Sequence, residues 1–246
     1  MTTKAWDPGT GPPLPGAAGL LRRLRRAAGR RPAAVLFDMD GLLVDSEPVW
    51  TIAERELAAR YGRTFSPEIK AAMIGKRLEA SVPLMLAMLG VDADPLEAGE
   101  WLLARTVELF REEGRLALTP GAPELLDAVA AAGVPTALVS SSYRRLVDAA
   151  LDVLGRDRFD ATVAGDEVGE AKPHPEPYLT AAGRLGVAAT ACVVLEDSET
   201  GARAGVAAGC ATVLVPTFPP TGTLPGVTVL TSLREVTPEL LRRLAA

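Results

Sequence analysis

The chain has 246 residues, of which 48% are hydrophobic, 4% aromatic and 23% charged. That length and apolar content support one large domain, or a domain with a smaller one inserted, and exclude a globally disordered chain. The net charge of −5 is uneven: residues 1–31 hold seven basic side chains and one acidic, leaving −11 on the rest, which argues against a nucleic-acid-binding body.

In chain order, the stretch WDPGTGPPLPGAAG is Pro/Gly-rich and reads as extended tail, followed by the arginine-rich LLRRLRRAAGRR. Residues 1–31 are expected to form a flexible, solvated basic tail ahead of the folded domain. A membrane-surface or polyanion-binding helix is the alternative, since Leu20, Leu21 and Leu24 could share one face. No apolar run here reaches signal-peptide length, and none in the chain nears the ~20 residues of a membrane span.

Beyond Arg31 the periodicity changes. Ala33–Asp38 reads as a short all-apolar strand, the pattern of one covered on both faces. It ends in Asp38-Met39-Asp40, two carboxylates whose repulsion and desolvation are costly unless a cation sits between them. A calcium loop of the EF-hand kind is excluded, because Leu42 and Val49 stand where oxygen ligands are needed. From Glu47 to Arg115 the sequence is helix-type only; VWTIAERELAARYG places Ile52, Leu57 and Tyr61 near one face. After Thr119-Pro120-Gly121, helices alternate with strands: APELLDAVAAAG and PTALVS, RRLVDAALDVLG and DATVAG, PEPYLTAAGRLG and ACVVLED, ETGARAGVAAG and ATVLVP. This alternation predicts an α/β fold with a parallel sheet and right-handed crossovers, interrupted by one helical block. The core is expected over 32–45 and 116–246, with an α-helical cap domain over 46–115.

In an open parallel sheet, ligands bind outside the carboxyl ends of the strands. Three expected strands end in polar residues: Asp38-Met39-Asp40, Ser140-Ser141-Ser142 and Glu196-Asp197. Lys172 lies before the helix that follows the third strand, in GEAKPHPEPY. Such a cluster could hold a divalent cation in its carboxylates, with Mg²⁺ neutralising the aspartates, and an anion against the serines and the lysine. Ser140–Ser142 also read as a turn and helix N-cap, which leaves anion binding open. Cys192 and Cys210 form no CxxC pair and His174 is the only histidine, so a Cys/His zinc cluster is excluded. The cysteines read as buried small hydrophobes, and a reducing cytoplasm is the expected location. Gly201, Gly205 and Gly209 form a small-residue stripe that would let a helix lie close to the sheet.

DMDGLLVDSEP, LVSSS, AKPHPEPY and VVLEDSETGARAG, in that order, resemble the four motifs of the haloacid dehalogenase superfamily. The helical block after the first motif resembles the small α-helical cap of its β-phosphoglucomutase-like and sugar-phosphatase branch. The resemblance spans Ala33 to Val215 and implies a Rossmann-like core. It implies Asp38 as the nucleophile that forms an aspartyl-phosphate, and Asp40 as general acid–base. It further implies Mg²⁺ held by the Asp38 carboxylate, the Asp40 backbone carbonyl and Asp197, with Glu196 either a ligand or a partner behind the ligands. Ser140 would bond a phosphoryl oxygen, Ser141 would assist in substrate binding, and Lys172 would balance charge on the phosphoryl group and Asp38. Aspartate at position 40 favours phosphate-ester chemistry over the dehalogenase and phosphonatase branches. Trp50 and Leu78 stand where a β-phosphoglucomutase has a histidine and a cap arginine, which favours a phosphatase of sugar, polyol or nucleoside phosphates over a phosphomutase. A non-catalytic phospho-ligand-binding regulator is the third reading, disfavoured because Asp38, Asp40 and Asp197 are all present. Glu47, Trp50, Lys76 and Arg77 are the expected cap-side substrate contacts. The expected partner is a small phosphorylated metabolite, with no nucleic acid and no membrane, and the chain is expected to be a monomer.

Overall fold

The computed structural model describes residues 31–245, so the expected basic tail, Arg31 apart, lies outside the described residues. In chain order the strands are β1 (Ala34–Phe37), β2 (Val44–Asp45), β3 (Ala117–Leu118), β4 (Thr136–Val139), β5 (Ala161–Val163), β6 (Cys192–Glu196), β7 (Ala211–Leu214) and β8 (Val227–Val229). Six of them form one sheet in the order β5-β4-β1-β6-β7-β8, and every pairing in it is parallel. The helices are α1 (Glu47–Arg60), α2 (Pro67–Met73), α3 (Leu78–Leu89), α4 (Pro95–Arg111), α5 (Ala122–Ala131), α6 (Arg144–Leu154), α7 (Glu176–Arg184), α8 (Glu199–Ala207) and α9 (Pro238–Leu244).

The central strands are apolar along their length because helices cover both faces. In β1, Val35 and Phe37 enter one hydrophobic cluster while Ala34 and Leu36 enter the other, beside Tyr178 and Ala181 of α7. From β1 the chain winds outward through β4 and β5, then crosses back to place β6 on the other side of β1. The strand order therefore reverses between β1 and β6, the place where an open parallel sheet leaves a crevice at its carboxyl edge.

The helical block α1–α4 is inserted between β2 and β3, as the helix-only sequence predicts. Its start and end are tied together, because β2 and β3 pair antiparallel, Val44 opposite Leu118 and Asp45 opposite Ala117. Two-residue strands carry no readable periodicity, and this pairing was not foreseen in the sequence. The edge strand β8 and the closing helix α9 were likewise not foreseen. In α1 the buried face is Val49, Ala53, Leu57 and Ala58, with Ile52 and Tyr61 at its margin. Local chemistry sets the helix ends: Ser66 and Asp94 cap α2 and α4 ahead of prolines, and Gly90 closes α3 at φ +62°. Among the described residues, no helix is long and apolar enough to cross a membrane.

The glycine stripe of α8 works at two of its three positions. A Cβ at Gly205 would stand 2.7 Å from Thr212 Oγ1 of β7 and 3.0 Å from Val194 Cγ1 of β6. Gly209 instead ends the segment, at φ +79°. Gly205→Val is expected to lower unfolding stability by about 1–3 kcal/mol through overpacking, read from urea denaturation midpoints.

Candidate active site

β1 delivers Asp38 to the crevice. The Asp38 N–H donates to Leu195 O at 2.9 Å, so the ladder with β6 continues one residue past the strand. The loop ahead of α7 then brings Lys172 across β4, with its Nζ 2.6 Å from Asp38 Oδ1, 2.6 Å from Glu196 Oε1 and 2.9 Å from Val139 O. All three donor positions of the ammonium are thereby used. Burial works to discharge Lys172, but Asp38 and Glu196 outweigh it and hold the ammonium above its ordinary range. Burial and the neighbouring Glu196 push the Asp38 carboxyl well above the usual carboxylate range, with Lys172 pulling the other way.

Glu196 ends β6 with no exposed surface. Its Oε1 accepts from Lys172 and from the Tyr178 hydroxyl, and its Oε2 accepts from Ser198 Oγ at 3.1 Å. α8 closes over it so tightly that a Cβ at Gly201 would fall 1.8 Å from Glu196 Oε1. Asp197, next along, reaches the cavity. Burial and Glu196 raise its carboxyl to about 7, while a 2.8 Å bond from Thr217 Oγ1 opposes the shift. Asp38, Glu196 and Asp197 each offer an oxygen, and these oxygens lie within 4.8 Å of one another. Gly41 makes this approach possible, being at φ +81° with a Cβ position only 2.1 Å from Asp197 Oδ2.

Asp40 sits on the turn after β1. It accepts from Ser46 Oγ at 2.7 Å, Ser142 Oγ at 2.9 Å and Ser140 Oγ at 3.1 Å. Sequence reasoning missed Ser46, because a serine at a helix start reads as a cap. It does precede α1, but its side chain makes no cap bond, its hydroxyl being committed to Asp40. Ser140 directly follows β4. It is still in the sheet ladder, its N–H donating to Val163 O at 3.0 Å, and its buried hydroxyl turns to Asp40 instead of the cavity. Ser141 and Ser142 line the cavity.

The cavity is about 340 Å³ and lies between the strand ends and the helical block. Its floor includes Asp38, Asp40, Lys172 and Asp197, and its roof includes Glu47, Trp50, Lys76 and Arg77. Trp50 serves twice, lining the cavity and packing on the hydrophobic core. Lys76 and Arg77 are exposed at the rim. Glu54 and Lys70 also line the roof and were not foreseen. Glu47 and Glu54 are seven residues apart on α1 and so share a face, a signal present in the sequence; Lys70 arrives only through packing of α2 on α1.

The haloacid dehalogenase-like hydrolase family matches residues 32–209, and the chain belongs to that family. Hexitol phosphatase B of Escherichia coli K12 is 35% identical over 190 residues, covering 76% of this chain and 85% of that protein. Phosphorylated carbohydrates phosphatase of Thermotoga maritima is 32% identical over 177 residues, covering 72% of this chain and 81% of that protein. The crystal structure of CbbY from Rhodobacter sphaeroides in complex with phosphate superposes with a TM-score of 0.74 at 28% identity, covering 84% of this chain and 96% of that one.

Lys172→Met leaves Asp38 and Glu196 buried without a counter-charge. A stability loss of about 3–5 kcal/mol is expected in urea denaturation, the usual effect of removing one partner of a buried ion pair.

Proposed function

We propose that the chain is a Mg²⁺-dependent phosphatase of small phosphorylated sugars or polyols, working in the cytoplasm. The observation that carries this reading is the Asp38–Lys172–Glu196 bridge at the floor of one cavity that Asp40 and Asp197 also line. The helical block over 46–115 is the cap that closes this cavity and excludes water.

Mg²⁺ suits a site of hard oxygen donors in which several carboxylates face one ammonium. The Asp38 and Asp197 carboxylates and the Asp40 backbone carbonyl would hold it. Glu196, whose oxygens already accept from Lys172, Tyr178 and Ser198, would support the site from behind. When bound, the ion supplies positive charge that lets an anionic nucleophile approach an anionic phosphate.

Asp38 attacks phosphorus, the ester oxygen departs with a proton from Asp40, and an aspartyl-phosphate forms. Asp40, now a carboxylate, takes a proton from water as that water attacks phosphorus, releasing inorganic phosphate and regenerating Asp38. Three hydroxyls hold Asp40, and each can turn from donor to acceptor, so the cradle fits both of its protonation states. Lys172 opposes the effect of burial on Asp38 and so favours its ionised, nucleophilic form, and Ser141 and Ser142 contact the phosphoryl group at the mouth of α6.

The test is phosphate release from sugar, polyol and nucleoside monophosphates with Mg²⁺ or with EDTA. Turnover is expected only with Mg²⁺, and Asp38→Asn is expected to lower kcat by about a thousandfold or more. Isomerisation of a sugar phosphate that needs a bisphosphate activator and releases no phosphate would instead identify a phosphomutase.

A further inference from the structure

The roof of the cavity contains an ionic group that phosphoryl transfer does not use. Lys70 Nζ on α2 lies 2.9 and 3.2 Å from the two oxygens of Glu54, and 2.8 Å from Glu47 Oε2, both on α1. The Glu54 contact is a two-oxygen hydrogen-bonded clamp, whereas the Glu47 contact is an ion pair without hydrogen-bond alignment. Glu54 is 4% exposed, so its charge is sustained by Lys70 alone; burial raises its carboxyl above the ordinary range, with Lys70 pulling it back. Glu47 is different: its side chain is 46% exposed and lines the cavity.

Two carboxylates on one ammonium leave the group with one net negative charge. A carboxylate has about four acceptor sites and no donor, so Glu47 keeps capacity to accept from a ligand that carries O–H groups. The same charge repels an anion entering that end of the cavity. The cations nearest the mouth, Lys76 and Arg77, are exposed, and Arg77 is shared with Glu79 at 3.8 Å. Arg77 and Glu47 are equally exposed, at 46% of the side chain, so the acidic excess at this end rests on the pairing of Arg77 with Glu79 and not on burial.

We propose that Lys70, clamped by Glu54, is a positioning residue that holds the Glu47 carboxylate over the cavity as a hydroxyl acceptor, so that the site selects polyhydroxylated phosphomonoesters and rejects substrates with a second anionic group. This specificity rests on the phosphatase reading above. The hydroxyl bond to Glu47 is charge-assisted, and its loss is worth about a tenfold change in kcat/KM.

The test compares three donors: a hexitol 6-phosphate, fructose 1,6-bisphosphate, and p-nitrophenyl phosphate, which has no hydroxyl groups. The wild-type protein is expected to favour the hexitol phosphate over the bisphosphate by about tenfold or more in kcat/KM. In Lys70→Met and Glu47→Gln, the ratio of hexitol phosphate to p-nitrophenyl phosphate turnover is expected to fall about tenfold, through KM more than kcat. Lys70→Arg is expected to keep that ratio within about threefold. The double variant Glu54→Gln with Lys70→Met removes the buried charge together with its partner, and is expected to fold and show the same fall. Equal losses on the hexitol phosphate and p-nitrophenyl phosphate would mark the group as merely structural and overturn the proposal, as would a wild-type preference for the bisphosphate. A wild-type protein that releases no phosphate even from p-nitrophenyl phosphate overturns the phosphatase reading, and the role of Lys70 with it.

Discussion

An ammonium placed between two buried carboxylates organises this molecule. Lys172 reaches Asp38 and Glu196 at 2.6 Å each, with side-chain exposures of 5%, 9% and 0%. Ionisable groups at that depth are tolerable only because each is paired, and two are further hydrogen-bonded, Lys172 to Val139 O and Glu196 by Tyr178 and Ser198. The bridge joins the ends of β1 and β6 with the loop before α7, three segments distant in sequence, at the point where the strand order reverses. The geometry of the crevice and its electrostatics are therefore one feature. A charge excess remains on the acidic side, where Asp38, Glu196 and Asp197 face one ammonium.

Close approach is the second requirement, and glycine meets it where the chain needs it most. Gly41 lets the turn carrying Asp40 pass against Asp197, and Gly201 lets α8 sit directly over Glu196. A methyl group at either place would displace a carboxylate of the cluster. The floor is thus packed too closely to admit a single added carbon at either position.

The roof is held differently. Across the opening, Tyr143 donates to Glu79 and Arg145 forms a two-pronged pair with Glu100 at 2.7 Å, with side-chain exposures of 51% and 63% for the latter pair. Exposed pairs of this kind contribute about 0–1 kcal/mol each. They supplement an apolar contact, since α4 of the helical block packs on α6 and residues of both enter one hydrophobic cluster.

Much of this was legible in the chain itself. Alternating helices and apolar strands announced a parallel sheet, the helix-only stretch after Asp45 announced an insertion, and polar residues at successive strand ends marked the edge where chemistry collects. Those signals are local: periodicity, caps and strand ends depend on near neighbours. Sequence alone determined the architecture, the position of the carboxylates, and the motif order that resembles the haloacid dehalogenase superfamily. Tertiary structure decided the partners. It turned Ser140 and Ser46 toward Asp40, sank Glu196 beneath α8, paired β2 with β3, and brought Lys70 from α2 to the glutamates of α1. A hydroxyl or an ammonium carries no mark of which distant group it will meet, because that is set by how layers pack and not by the spacing of residues along the chain.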